Sequence, residues 1–347
     1  MAATDTGTWH RLLLRLGGRL PDGALAAARA ALAASGPEHA AAVVAGAVAE
    51  HAVPVTPAEA GALGLPPDSG PRQDDAAAPG YRFAPSREPV GRSFDGGPAL
   101  LLDLTGAHAG LREAAADRVD DDAMAAAARA ADPAALVALW RAWRFAGGAP
   151  ARVYLLEVDL PTAELPGVTA HVQRALAAAG VADPQVEVYA PDEDLPAYHR
   201  FARGSSALLW ARTRAGAITT ARVFDGADPE AGPRFADDHP RIDDAEERRR
   251  LLAWLAAGTV LLATTERGRD VLDPDRGAVV PLNYRTDGAW VWTDAVAHYL
   301  DVHHLAPDPG LADHIRSRGH ALPSVDAVAG HRALAYLLNP EPAPARP

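Results

Sequence analysis

Trp9, Leu12, Leu13 and Leu16 recur at helical spacing, and Gly17 and Gly18 end that pattern. Leu20, Pro21 and Asp22 open a second helix that runs to Ala34, where Ser35, Gly36 and Pro37 stop it. A third is expected over residues 38–52, ahead of Val53 and Pro54. Thr56, Pro57 and Glu59 then supply the cap, the first-turn proline and the acid that begin a short fourth helix. The side chains between these signals are mostly alanine, which makes a thin core. Residues 1–64 are therefore expected to form a small all-helical unit that packs on something else.

Periodicity is lost over residues 65–97, where Pro66, Pro67, Pro71, Pro79, Pro85 and Pro89 fall among glycines. That composition predicts an extended linker. Strand-length apolar runs follow at 99–104, 152–159, 185–190, 207–212, 218–224, 259–263, 278–284 and 289–292. Helical patterns lie between them at 110–130, 133–146, 168–179, 195–203 and 243–257, and continue at 294–305, 310–318 and 324–338. Such alternation predicts an α/β domain over 98–339, a mixed sheet with covering helices. The runs at 207–224 and 278–292 are joined by short polar turns and are expected to pair antiparallel. A proline-rich tail, 340–347, is expected to be disordered.

Composition removes several chemistries. All 33 basic side chains are arginine, and neither lysine nor cysteine occurs. Schiff-base lysines, P-loop lysines, thiolate nucleophiles, thiolate metal ligands and disulfides are thereby excluded. The net charge of −12 argues against nucleic acid and against anionic membranes as partners. Arg11 and Arg15 interrupt the first apolar run, so no leader segment is expected. The longest apolar stretch, 251–263, falls short of the roughly 20 residues that span a bilayer. The expected setting is the cytoplasm.

Several local motifs reduce to ordinary structure. Gly106 and Gly110 follow a strand and precede a helix, which could cradle the phosphate of a small acidic ligand. The third glycine and the later acid of a dinucleotide fingerprint are missing, and a turn capped by Thr105 is the simpler reading. Asp117, Asp120, Asp121 and Asp122 read as a solvated helix boundary. Asp243, Asp244, Glu246 and Glu247, followed by Arg248, Arg249 and Arg250, read as a helix start that offsets its own dipole. Asp273, Asp275 and Gly277 imitate a calcium loop, but Tyr284 stands where its glutamate is required, leaving a turn. Gly204, Ser205 and Ser206 lack the second glycine of a nucleophile elbow. No cofactor, metal site or catalytic residue is expected from these motifs.

The carboxyl-terminal third is more specific. Asp287–Gly288 is a strong hairpin signal between strand-like segments, and Trp290 and Trp292 alternate onto one strand face. Arg285, Asp287, Trp290, Trp292, Asp294, His298 and Tyr299 are of types found where proteins bind partners, and together they predict a partner-binding face. The competing reading is that both indoles fill a core. Asp294, His298 and Asp301 share one face of one helix, which leaves open a His/carboxylate-dependent hydrolase or transferase, with Arg285 nearby. The leading expectation is a non-catalytic module with a protein partner.

Val280, Pro281, Leu282, Tyr284, Thr286, Asp287, Gly288, Trp290 and Trp292 form a block with Tyr299, Leu300, Ala306, Pro307, Asp308, Pro309 and Leu311. It resembles the end of an uncharacterised group of actinobacterial proteins that carry a TDG-x-W-x-W stretch, with His298 standing where a tyrosine is expected. The opening over 9–22 is similar to starts of the same kind. The resemblance implies an accessory or immunity-like role in toxin loci and brings no catalytic residue with it.

Overall fold

A computed structural model describes residues 5–66, 80–106, 109–228, 230 and 232–339. The chain divides into two compact units, Met1–Arg214 and Ala215–Pro347.

The first unit opens with α1 (Thr6–Arg15), α2 (Asp22–Ser35), α3 (Pro37–His51) and α4 (Pro57–Ala62). Trp9, Leu12, Leu13, Leu16, Leu25, Leu32, Val44 and Val48 form their common core. Gly36 has φ +86°, which glycine adopts without strain, and Pro37 starts α3 immediately after it. Thr56 and Glu59 form a reciprocal capping box on α4.

A mixed sheet follows, with β1 (Arg82–Ala84), β2 (Leu102–Asp103), α5 (Ala109–Ala115), α6 (Arg118–Ala130), β3 (Leu136–Phe145), β4 (Ala151–Val158), α7 (Leu165–Ala178), β5 (Gln185–Tyr189), α8 (Ala197–Gly204) and β6 (Ala207–Ala211). The strand order is β2-β6-β3-β4-β5, and β1 adds to β3. β3 runs antiparallel to β1, β4 and β6, while β4–β5 and β2–β6 are parallel. Leu139, Leu156, Val158, Val186 and Val188 pack with Val168, Val172 and Leu176 of α7 and with alanines of α6. The expected α/β class with a helical start is what the chain adopts.

Two expectations are corrected in this unit. Residues 133–146 were expected to be helical but contain β3, the sheet's central strand. Leu136, Leu139, Trp140 and Trp143 fit a helical spacing, yet side chains of both parities are buried, so no alternation marks the strand. Gly147, at φ +79°, lies in the turn that returns β3 into β4.

The division into domains also falls elsewhere than the expected 1–64, 65–97 and 98–339. α1 and α2 pack on α7, and buried polar contacts tie them to the sheet. His10 Nε2 donates to the Val188 carbonyl at 2.8 Å, Arg29 pairs with Glu187, and Gln185 Nε2 donates to the Asp22 carbonyl at 3.1 Å. Residues 82–84 of the expected linker are a strand of the sheet, and Arg141 Nη2 donates to the Pro85 carbonyl at 2.6 Å. Residues 67–79 of that linker and the 340–347 tail lie outside the described residues.

The second unit contains β7 (Thr219–Thr220), β8 (Gly226–Asp228), β9 (Gly232–Arg234), α9 (Ala245–Ala257), β10 (Thr259–Leu262), β11 (Arg267–Arg269), β12 (Ala278–Pro281), β13 (Tyr284–Thr286), β14 (Trp290–Thr293), α10 (Asp294–His303), α11 (Pro309–Ser317) and α12 (Ala327–Leu338). Its main sheet has the order β10-β13-β14-β7, with β8–β9 and β11–β12 as separate pairs. Leu251, Trp254 and Leu255 of α9 meet Trp292, Val296, Leu300, Leu311 and Ile315 in the core. The hairpin expected between 207–212 and 218–224 does not form; β7 instead lies parallel to β14, because the unit boundary falls between the two runs. Among the described residues, no helix is long and apolar enough to cross a membrane.

Candidate functional site

The β13–β14 hairpin is built by Asp287. Its Oδ1 accepts the amides of Ala289 and Trp290 at 3.0 and 2.8 Å, and its Oδ2 lies 2.6 Å from His314 Nε2 on α11. Gly288 closes the turn at φ +93°. Thr286 Oγ1 donates to the Trp290 carbonyl at 2.6 Å and accepts the Gly288 amide at 2.9 Å.

The expected partner-binding face is only partly a face. Trp292 has no exposed surface; its ring stacks on Trp254 at 4.8 Å, and Nε1 donates to the Leu255 carbonyl at 3.3 Å. A Cβ on Gly258 would come within 2.2 Å of that indole, so the glycine makes room for it. Tyr299 and Asp287 are also buried, which removes three of the seven expected contact residues from any surface. The reason is direction: alternation puts both indoles on one strand face, and that face looks into the core. Trp290 stays half-buried at the rim of the core, its ring close to Gly310 at the start of α11.

Arg285 and Asp294 are fixed to each other. Arg285 Nε donates to Asp294 Oδ1 at 2.6 Å, and its Nη1 donates to the carbonyls of Ala256 and Gly258 at the end of α9. Those carbonyls carry the negative end of the helix dipole, where a guanidinium is favoured. Asn283 Nδ2 donates to the other Asp294 oxygen at 2.8 Å.

His298 is turned toward a different acid from the one expected. Its Nε2 lies 2.9 Å from Asp270 Oδ2, and His303 Nε2 approaches the same oxygen at 2.7 Å. Asp270 follows β11 and is wholly buried. Its Oδ1 accepts the amides of Leu272 and Asp273 at 3.0 and 3.2 Å, which aims Oδ2 at the two rings. Tyr299 packs between them, stacked on His303 and edge-on to His298, and its hydroxyl accepts the Val271 amide at 3.2 Å. One ligand atom from each of Asp270, His298 and His303 lies within 4.8 Å of the others. Burial pulls the Asp270 carboxyl up, but the N–H groups of His303, His298 and Leu272 outweigh it and hold the acid well below the usual range. Asp301 is exposed and does not join the cluster.

This cluster was illegible because Asp270 stands 28 and 33 residues from its histidines. The nearest sequence signal, the false calcium loop, points to the acids after it. Asp273 directly precedes a one-turn 3-10 helix, Pro274–Arg276, as a turn reading requires.

In the first unit, the solvated reading of the acid cluster fails for Asp120. That carboxylate is wholly buried and receives Arg141 Nη1 at 2.8 Å, Tyr154 Oη at 2.8 Å and Arg152 Nη1 at 3.1 Å. Asp117 caps α6 and takes both Arg152 Nη atoms at 2.7 Å. Asp121 and Asp122 do face solvent or lie near it. At α9, Asp244 accepts the Glu246 amide at 2.9 Å and Glu246 pairs with Arg249, as an exposed helix start should. Thr105 donates its amide and hydroxyl to Asp103; residues 107 and 108 of the glycine turn lie outside the described residues.

No protein-family model, no curated protein and no solved structure matches the chain.

Proposed function

We propose that the chain is a non-catalytic protein-interaction module acting in the cytoplasm, with Trp290 central to the surface it offers. The observation that supports this reading best is the contrast within the indole pair: Trp292 is sealed, whereas Trp290 keeps part of its ring at the surface. Beside it, Asp308 accepts the Gly310 amide at 2.9 Å and pairs with Arg222 at 3.2 Å, a polar rim around an aromatic anchor. The alternative, a hydrolase or transferase using Asp294 and His298, has less support. Asp294 is committed to Arg285 and Asn283, and His298 to Asp270.

Affinity capture from native lysate tests the reading, using wild type and Trp290→Ala side by side. The expected result is a protein retained by wild type and lost by a Trp290→Ala variant with an unchanged circular-dichroism spectrum. Equal retention by both, no retained protein, or collapse of the fold on that change would contradict it.

A further inference from the structure

We propose that Asp270, His298 and His303 bind a divalent first-row transition-metal ion, for which zinc is the natural probe. The inference is independent of the docking reading, because it concerns the far end of α10 and not the Trp290 rim.

The cluster has the build of a ligand set. Two imidazoles from one helix and a carboxylate from the end of β11 converge on a single buried oxygen, at 2.9 and 2.7 Å. Zinc–nitrogen and zinc–oxygen bonds of about 2.0–2.2 Å place neighbouring ligand atoms about 3 Å or more apart. Admitting an ion therefore asks each ring to withdraw by roughly half an ångström and to turn its Nε2 from Oδ2 toward the ion. The carboxylate is oriented from behind by the Leu272 and Asp273 amides, as the outer contacts of a metal ligand orient it. α10 ends at His303, and His304 takes a left-handed conformation at φ +59°.

The donor types select the ion. Two imidazoles with one carboxylate suit zinc, nickel, copper or iron, whereas calcium and magnesium prefer oxygen donors throughout. The chain has no cysteine, so no thiolate competes for such an ion. Three protein ligands leave at least one position for water. Without the ion, each Nε2–H donates to Asp270 Oδ2. With it, each Nε2 presents a lone pair to the metal, and its proton moves to Nδ1 or to solvent. The ion then adds a link between the β11 end and α10, beside the packing of Val271 with Ala295 and Tyr299 that already joins them.

The test uses tag-free, full-length protein stripped with EDTA and then titrated with zinc or cobalt(II). The expected result is one equivalent of zinc by calorimetry and a cobalt visible spectrum that zinc abolishes. Asp270→Asn, His298→Ala and His303→Ala should each weaken binding by at least about tenfold. His314→Ala and His239→Ala, which alter other His–Asp pairs, should leave it unchanged. Absence of a bound equivalent, or affinity that survives all three ligand changes, overturns the proposal. Should the ligand variants unfold, diethylpyrocarbonate footprinting of wild type decides the matter: zinc must shield His298 and His303, and equal labelling with and without zinc overturns the site.

Discussion

Both units bury carboxylates, but arginine leads among their partners in the first and histidine in the second. In the first, Asp120 is met by Arg141 and Arg152, and Glu187 by Arg29 together with the buried His199. In the second, Asp270 is met by His298 and His303 and Asp287 by His314, while His239 pairs with an exposed acid, Asp225. With no lysine in the chain, these are the only two side chains available for the task. A guanidinium keeps its charge and cannot ligate a metal; an imidazole can lose its proton and offer a lone pair. The arginine pairs therefore serve as fixed supports of a continuous sheet. The histidine clasps on buried acids join the ends of short strands to helices.

The largest expected effect is on the arginine side. Asp120→Ala leaves Arg141 buried without its acid, and unfolding of the first unit should cost about 3–5 kcal/mol less, read by urea denaturation. A loss below about 1 kcal/mol would show that the pair is not the support described here. On the other side, Trp292→Ala should cost about 3–5 kcal/mol, because its ring is enclosed by the α9 core. Trp290→Ala, which empties only half a site, should cost about 1 kcal/mol. Equal costs for the two would erase the distinction between core and rim.

Acid should separate the units. Burial, opposed by the hydrogen bond to Val188, lowers His10 from 6.5 to about 4. The unfolded chain then binds a proton that the folded unit refuses, so stability is intact above pH 6.5 and falls toward pH 4. The loss approaches roughly 3 kcal/mol, and His10→Gln should flatten it. Burial raises the Glu187 carboxyl, but Arg29 and His199 overcome this and bring it to about 2, adding a second loss between pH 4.5 and 2. Asp270, also held low, contributes stability above its ordinary pKa of 3.8 that is lost only as the pH falls below it. Fluorescence unfolding at pH 7 and pH 5 should thus find the first unit weakened earlier. Thr56→Ala, which removes one half of the α4 capping box, should cost about 1 kcal/mol, no more than Trp290→Ala.

What could be read from the sequence was local. The amino-terminal helices, the Thr56–Glu59 box, the Asp287–Gly288 turn and the alternation of strands with helices each depend on residues a few positions apart. β3 escaped because a strand buried on both faces has no period of two. Alternation showed that Trp290 and Trp292 share a face, but not that the face turns inward, since that depends on where α9 and α11 pack. The Asp270 clasp and the buried role of Asp120 rest on partners tens of residues away, which spacing along one helix does not reveal. Asp294 and His298 do lie on one helical face, and each finds a nearer partner elsewhere.

Hydrogen–deuterium exchange of the full-length chain, with and without one equivalent of zinc, tests the contrast between the units most directly. The account predicts slower exchange confined to residues 267–281 and 294–305, with none in residues 5–214. Protection that appears among the arginine pairs of the first unit, or no protection anywhere, would contradict it.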